Sequence, residues 1–224
     1  MNKISVILRS RNEERWIGHT IQSILDFIDQ PEIIVMDNES NDSTLEIVKH
    51  FIRDAKLKNS HKSSYTQINI KNIKNYSPGS ALNNGIKMAA NNIILIISSH
   101  CVIKKFDYKK LILNMNNYDC IFGNQIPVYN GKRINKRYIW SHFEEKKIIN
   151  MFSKQENRFF LHNAFALYNK KILEQFPFNE NVVGKEDRYW VNDRIEEGLT
   201  SFYDSTLICN HHYTDNGATW KGMG

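Results

Sequence analysis

The chain has 224 residues, of which 41% are hydrophobic and 24% charged, a balance that fits one globular domain over residues 1–224 and excludes a disordered chain. Three scattered cysteines, Cys101, Cys120 and Cys209, exclude a disulfide framework and a cysteine-based zinc site. The net charge of +6 suits a phosphorylated substrate, an anionic membrane surface or nucleic acid, and equally a merely solvated surface.

Ile4–Leu8 reads as a strand, and residues 13–28 follow as an amphipathic helix with Trp16, Ile17, Ile21, Ile24, Leu25 and Ile28 at helical spacing. Glu32–Met36 is a second strand. Asn41-Asp42-Ser43 supplies capping oxygens for a helix with Leu45, Ile47, Val48 and Phe51 on its apolar face. Tyr65–Ile70 is a third strand, Pro78 opens another helix, and Ile93–Ile97 is a fourth strand. Strands alternating with helices predict an α/β fold with a mostly parallel central sheet. In the second half, 119–122 and 163–167 read as strands, and 170–176 and 188–197 as helices, the latter ended by Gly198. Residues 201–203 and 207–209 read as two short strands, and the charged, aromatic stretch 132–149 as helical in its later part.

Ligands of open α/β sheets sit beyond the C-terminal ends of the strands. Three polar clusters fall there: Arg9, Ser10, Arg11, Asn12 and Glu13; Asp37 and Asn38; Ser98, Ser99 and His100. Each alone is ordinary turn chemistry, and their convergence marks a site. A fourth cluster, Gly184-Lys185-Glu186-Asp187, enters a helix whose N-terminus favours ionised carboxylates.

In this order and spacing, and with Gly79, Ala81, Asn84 and Gly85 after the third strand, the chain resembles the family 2 glycosyltransferases of the GT-A (Rossmann-like) fold, from about Lys3 to His211. The resemblance implies a nucleoside-diphosphate sugar donor held by about residues 1–103, and an acceptor site with the catalytic base in about 104–224. It implies base and ribose contacts from Ser10, Arg11, Asn12, Glu13, Asp37 and Asn38, with the Arg11 guanidinium stacking on the base. It makes Asp187 the general base and Glu186 its neighbour that orients acceptor or donor sugar. The expected reaction is transfer with inversion to a hydroxyl of a glycan or lipid-linked oligosaccharide, in bacterial surface polysaccharide synthesis.

One motif departs from the family. Its Asp-x-Asp triplet is replaced by Ser98-Ser99-His100. Imidazole suits Mn²⁺ better than the hard Mg²⁺, so His100, helped by His211 or His212, is expected to hold Mn²⁺ at the diphosphate or else to contact a phosphate oxygen without metal. In the metal-independent case Lys221, in the polar tail, is expected to offset leaving-group charge. Cys101 reads as packing. Two rival readings are a sugar-nucleotide-forming nucleotidyltransferase, which needs a glycine-rich loop that Arg9–Glu13 lacks, and a non-catalytic nucleotide-sugar-binding protein. No apolar run approaches the ~20 residues of a spanning helix, and no signal peptide is evident. The expectation is a cytoplasmic protein, with peripheral contact at the inner membrane and no nucleic-acid partner. The abrupt stop after Gly224 suggests truncation.

Overall fold

The computed structural model describes residues 3–59 and 66–220. Strands β1 (Ile4–Ser10), β2 (Glu32–Asp37), β3 (Gln67–Asn72) and β4 (Ile93–Ser98) alternate with helices α1 (Ile17–Phe27), α2 (Thr44–Asn59) and α3 (Pro78–Met88). Then come β5 (Cys101–Lys105), α4 (Tyr108–Asn114), β6 (Cys120–Tyr129), β7 (Lys132–Arg133), β8 (Ile148–Ile149), β9 (Phe152–Ser153), β10 (Arg158–Phe159), β11 (Phe165–Asn169), α5 (Lys170–Gln175), α6 (Glu186–Glu196) and β12 (Ser201–His212). Among the described residues, ten strands form one sheet with the backbone order β3-β2-β1-β4-β11-β6-β12-β5. The β3-β2-β1-β4 half is parallel throughout, β11 runs antiparallel to β4 and β6, and β12 lies parallel to β6.

Side-chain alternation along each strand fills two cores. On β1, Ile4, Val6 and Leu8 pack with α1 on one face, and Ile7 packs with α3 on the other. α3 begins with Pro78 behind the N-cap Ser77, in a capping box with Ser80. Its Gly79 is required by a close approach, since a Cβ there would lie 2.4 Å from the Asn179 carbonyl oxygen. The asparagine that works in this helix is Asn83: Asn84 is exposed, whereas Asn83 is buried and bonds the Phe178 main chain through both ends of its amide.

Several boundaries differ from the sequence reading. The first helix starts at Ile17 because the Glu13 carbonyl turns the chain, accepting from Trp16 N and Ile17 N. β3 is shifted to Gln67–Asn72, and Tyr65 lies outside the described residues. The stretch 132–149 is not helical beyond one 3-10 turn at Tyr138–His142. That turn suffices to bury Trp140 and Phe143, after which Ile148–Ile149 pairs with Phe202 and Tyr203. The two short strands expected near 201–209 are one, β12, interrupted where its register on β6 jumps from Asp204↔Gly123 to Ile208↔Asn124. Gly123 makes room for that bulge, because a Cβ there would meet the Leu207 carbonyl oxygen at 2.7 Å.

Candidate active site

A cleft of about 660 Å³ opens beyond the C-terminal ends of β1 and β4, lined by the loops after both strands, the entry to α6 and the segment after β12. Of the residues expected in a site, Ser10, Arg11, Glu13, Ser98, His100, Glu186 and Asp187 line it. The others do not, for physical reasons. The Asp37 carboxylate is fully buried, and its two oxygens accept from the Ser40 hydroxyl at 2.6 Å and the Ser40 N–H at 3.0 Å. Asn12, at φ 52°, accepts from Asn41 N at its side-chain oxygen at 2.8 Å, and Asn38 N donates to the Ser10 carbonyl at 2.9 Å. Ser99 is buried, with its hydroxyl on the Arg9 carbonyl at 2.7 Å. These four shape the loops and stand back from the cleft. Lys221 lies outside the described residues.

The acid pair is built into the first turn of α6. Gly184 (φ 86°) and Lys185 (φ 58°) turn the chain sharply, so that Glu186 and Asp187 enter the helix buried. Glu186 Oε1 accepts from Arg9 Nη1 at 2.7 Å. Burial opposes the charge on Arg9, but Glu186, with lesser help from Tyr76 and Asp187, outweighs it and raises its pKa. Asp187 Oδ2 accepts from Asn163 N and Oδ1 from Arg188 N, each at 2.8 Å. Fixed N–H donors of this kind hold the carboxylate in one orientation. Arg188 is itself held by Glu156 at 3.2 Å and lies over the Phe160 ring at 5.4 Å.

His100 and His211 meet, their Nε2 atoms 3.0 Å apart. His100 Nδ1 bonds Glu13 Oε1 at 2.9 Å, and His211 Nδ1 bonds Gln125 Oε1 at 3.0 Å. Glu13 Oε2 is buried with no hydrogen-bond partner among the described residues. Burial, then the neighbouring histidines His100, His162 and His212, hold the His211 pKa well below its ordinary value, so His211 is a neutral imidazole with a usable lone pair. Two histidines whose second nitrogens are each tied to an acceptor form a donor set that suits a divalent cation. Among the described residues no group of three or more His, Cys, Asp or Glu side chains gathers around one point, and of the two histidines His100 lines the cleft whereas His211 is fully buried behind it. The three cysteines are buried free thiols, and the Cys101 pKa is pushed well up by burial and by Cys209, which makes it unreactive.

The segment after β12 closes one wall. Trp16 stacks on His212, ring centroids 3.9 Å apart, and donates Nε1–H to the Tyr213 carbonyl. Asn216 reaches the Arg11 and Asn12 carbonyls, and Trp220 packs on Trp140 and His211. Sequence reading placed Arg9 in the first loop cluster without a role of its own, and missed Asn163, His162, Gln125 and Arg188. Arg9 alone carried a signal, a charge at the end of a buried strand. The others acquire their roles only through pairings that span many residues.

The sequence matches Glycosyl transferase family 2 over residues 5–176. It is 28% identical over 211 residues to the GalNAc(5)-diNAcBac-PP-undecaprenol beta-1,3-glucosyltransferase of Campylobacter jejuni, covering 91% of this chain and 62% of that protein. The fold is similar to S. aureus TarS 1-349 in complex with UDP-GlcNAc, with a TM-score of 0.71, 20% identity, and coverage of 98% of this chain and 61% of that one. It is also similar to the mannosyltransferase PcManGT from Pyrobaculum calidifontis in complex with GDP-Man and Mn2+, with a TM-score of 0.68, 14% identity, and coverage of 96% and 58%. This chain thus spans less than two thirds of the length of each of these three proteins. The family match takes in all four parallel strands and the loops after β1 and β4 that line the cleft, and on that match the chain belongs to glycosyl transferase family 2.

Proposed function

We propose that the cleft transfers a sugar from a nucleoside diphosphate to a hydroxyl of a glycan or lipid-linked oligosaccharide, with inversion at the anomeric carbon. The observation that carries this reading is one cleft, beyond the ends of β1 and β4, lined both by a buried acid pair and by a histidine–carboxylate pair. An inverting transfer needs two such groups, because the attacking hydroxyl and the leaving diphosphate occupy opposite faces of the sugar. In this reading Asp187 takes the acceptor proton as the hydroxyl oxygen bonds to C1. The bond from C1 to the diphosphate oxygen breaks, and its electron pair leaves with the diphosphate. Glu186, fixed by Arg9, orients the sugar. Arg11, exposed at the cleft rim, stacks on the base. Asp37, Asn38, Asn12 and Ser99 act indirectly, by holding the loops that Ser10, Arg11 and Ser98 sit on. Residues up to about 103 hold the donor, and the remainder carries the acceptor side and the base.

The donor set of His100 and His211 supports Mn²⁺ in preference to Mg²⁺. When bound, the ion would offset charge on the departing diphosphate. The Pyrobaculum mannosyltransferase, held with GDP-Man and Mn2+, supports the same choice. The lipid-linked acceptor is supported by the name of the Campylobacter relative. Among the described residues no helix is long and apolar enough to cross a membrane. Contact with a lipid-linked acceptor would fall at the cytoplasmic face of the membrane, where nucleoside-diphosphate sugars are present.

The test is a panel of uridine, guanosine and thymidine diphosphate sugars, read by release of the nucleoside diphosphate with and without Mn²⁺. Release from one donor and its stimulation by a glycan acceptor are expected. Binding without release under any condition would leave a sugar-nucleotide-binding protein. Release of pyrophosphate from a nucleoside triphosphate and a sugar phosphate would replace transfer by nucleotidyl chemistry.

A further inference from the structure

Gln125 sits in β6, fully buried and outside the lining of the cleft. Its side-chain oxygen meets two imidazoles at once, His162 Nδ1 at 2.8 Å and His211 Nδ1 at 3.0 Å. The other end of the amide, Nε2, faces the His162 main-chain carbonyl at 3.5 Å. Turning the amide over would set oxygen against oxygen there, so the orientation is fixed. A carboxamide oxygen only accepts, so both histidines carry their hydrogen on Nδ1 and both present a bare Nε2. For His162 the bare nitrogen accepts from the Thr219 hydroxyl at 3.3 Å. For His211 it points at His100 Nε2. His100 in turn directs Nδ1 at the Glu13 carboxylate. The bare Nε2 of His211 therefore needs something positive on its His100 side, either a proton on His100 Nε2 or a cation between the two nitrogens, which lie 3.0 Å apart.

We propose that Gln125 is the positioning residue that makes His211 a cation ligand, holding its Nδ1–H so that Nε2 is bare and aimed at His100. The inference rests on the cation reading given above. One oxygen also serves His162, so the cation ligand and Thr219 of the segment after β12 share a single anchor. Gln125 never touches substrate or ion, and its effect runs entirely through ring orientation and tautomer.

The experiment uses the whole chain with Mn²⁺ as the probe, by titration calorimetry, together with nitrogen-15 imaging of the imidazole tautomers by long-range NMR correlation. Gln125→Met keeps the bulk and removes the acceptor. Gln125→Asn keeps a carboxamide and withdraws its oxygen by one methylene, so it reports even where the apolar variant does not fold. Gln125→Glu keeps the acceptor. Outer-shell partners of ligating histidines typically contribute ~10–100-fold to metal affinity. A loss of that order is expected in Gln125→Met and Gln125→Asn and not in Gln125→Glu, with His211 an Nδ1–H tautomer in the parent and an Nε2–H tautomer in the weakened variants. Parent protein that binds Mn²⁺ no more tightly than Gln125→Asn, or whose His211 carries its hydrogen on Nε2, overturns the role of Gln125 alone. Parent protein that binds no Mn²⁺ overturns the cation reading and the role of Gln125 with it.

Discussion

Arg9 and Glu186 lie 177 positions apart and meet at 2.7 Å, one at the end of a central strand and the other in the first turn of α6. The pair ties the two halves of the chain together across the floor of the cleft. Removing one partner leaves a buried charge uncompensated, which costs about 3 kcal/mol in the interior. Arg9→Met is therefore expected to lower the unfolding free energy by roughly that amount. The double variant Arg9→Met/Glu186→Gln should recover most of it. Denaturant unfolding of the four proteins of this cycle decides the matter, and an additive double variant would show that the pair is not coupled.

Asp187→Asn is expected to cut transfer by ~10²–10⁴-fold, the usual cost of losing a general base, while binding of the nucleoside diphosphate stays the same. The structure adds a second consequence. Both carboxylate oxygens accept a main-chain N–H, and a carboxamide has only one oxygen, so either Asn163 N or Arg188 N loses its partner. A stability loss of about 1–3 kcal/mol should accompany the rate loss. Transfer near the parent rate would move the base to Glu186.

His100→Ala should abolish any preference for Mn²⁺ over Mg²⁺ and reduce transfer severely, because one of two ring nitrogens is gone. Cys101→Ala, one residue on but buried among apolar neighbours, should change stability and leave transfer intact. Unchanged, Mg²⁺-supported activity in His100→Ala would remove the histidine pair from diphosphate chemistry. The measurement is initial rate against metal concentration.

Acid should loosen the fold. His212 is lowered to about 4, first by burial and then by its neighbours Lys104, His100, His19 and Arg15, and burial lowers His211 and His162 as well. A base whose folded pKa lies below its unfolded value of about 6.5 binds more protons when unfolded. Its contribution is complete above about pH 6.5, drains away as the pH falls toward the folded value, and is constant below that. Stability is thus expected to decline from pH 7 to pH 4. In His212→Gln the decline should be shallower, as read by denaturant midpoints across that range. An identical slope in the variant would show that His212 is not buried as described.

Much of this was legible before any coordinates. The parallel half announces itself because Ile4–Leu8, Glu32–Met36 and Ile93–Ile97 are buried on both faces and separated by helices of ordinary length. The polar residues that follow them fall at one edge by topology alone. The stretch 132–149 was misread because Trp140 and Phe143 are spaced as in a helix, while the backbone extends at Arg137 and adopts φ 47° at Tyr138. Asp37, Asn38 and Ser99 were placed at the correct loops, but sequence cannot distinguish an asparagine or aspartate that reads a ligand from one that satisfies its own turn. Gln125 was invisible for a related reason. Its meaning comes from His162 and His211, at separations of 37 and 86 residues.

The bulge in β12 sets the phase of everything after it. Between Asp204 and Ile208 that strand advances four residues while β6 advances one, so three residues are extra, an odd number. Phe202 and Cys209, an even and an odd position, consequently share the core beneath α1, and the same three extra residues set the phase of His211, whose ring meets Trp140 and Trp220. An uninterrupted strand would have turned His211 to the opposite face. Removing a single residue from 205–207 is a small edit far from the cleft, yet it would swing His211 away from His100 and leave Tyr203 where it is. The meeting of the two histidines depends on a counting error in the sheet, and Gly123 is the residue that makes room for it.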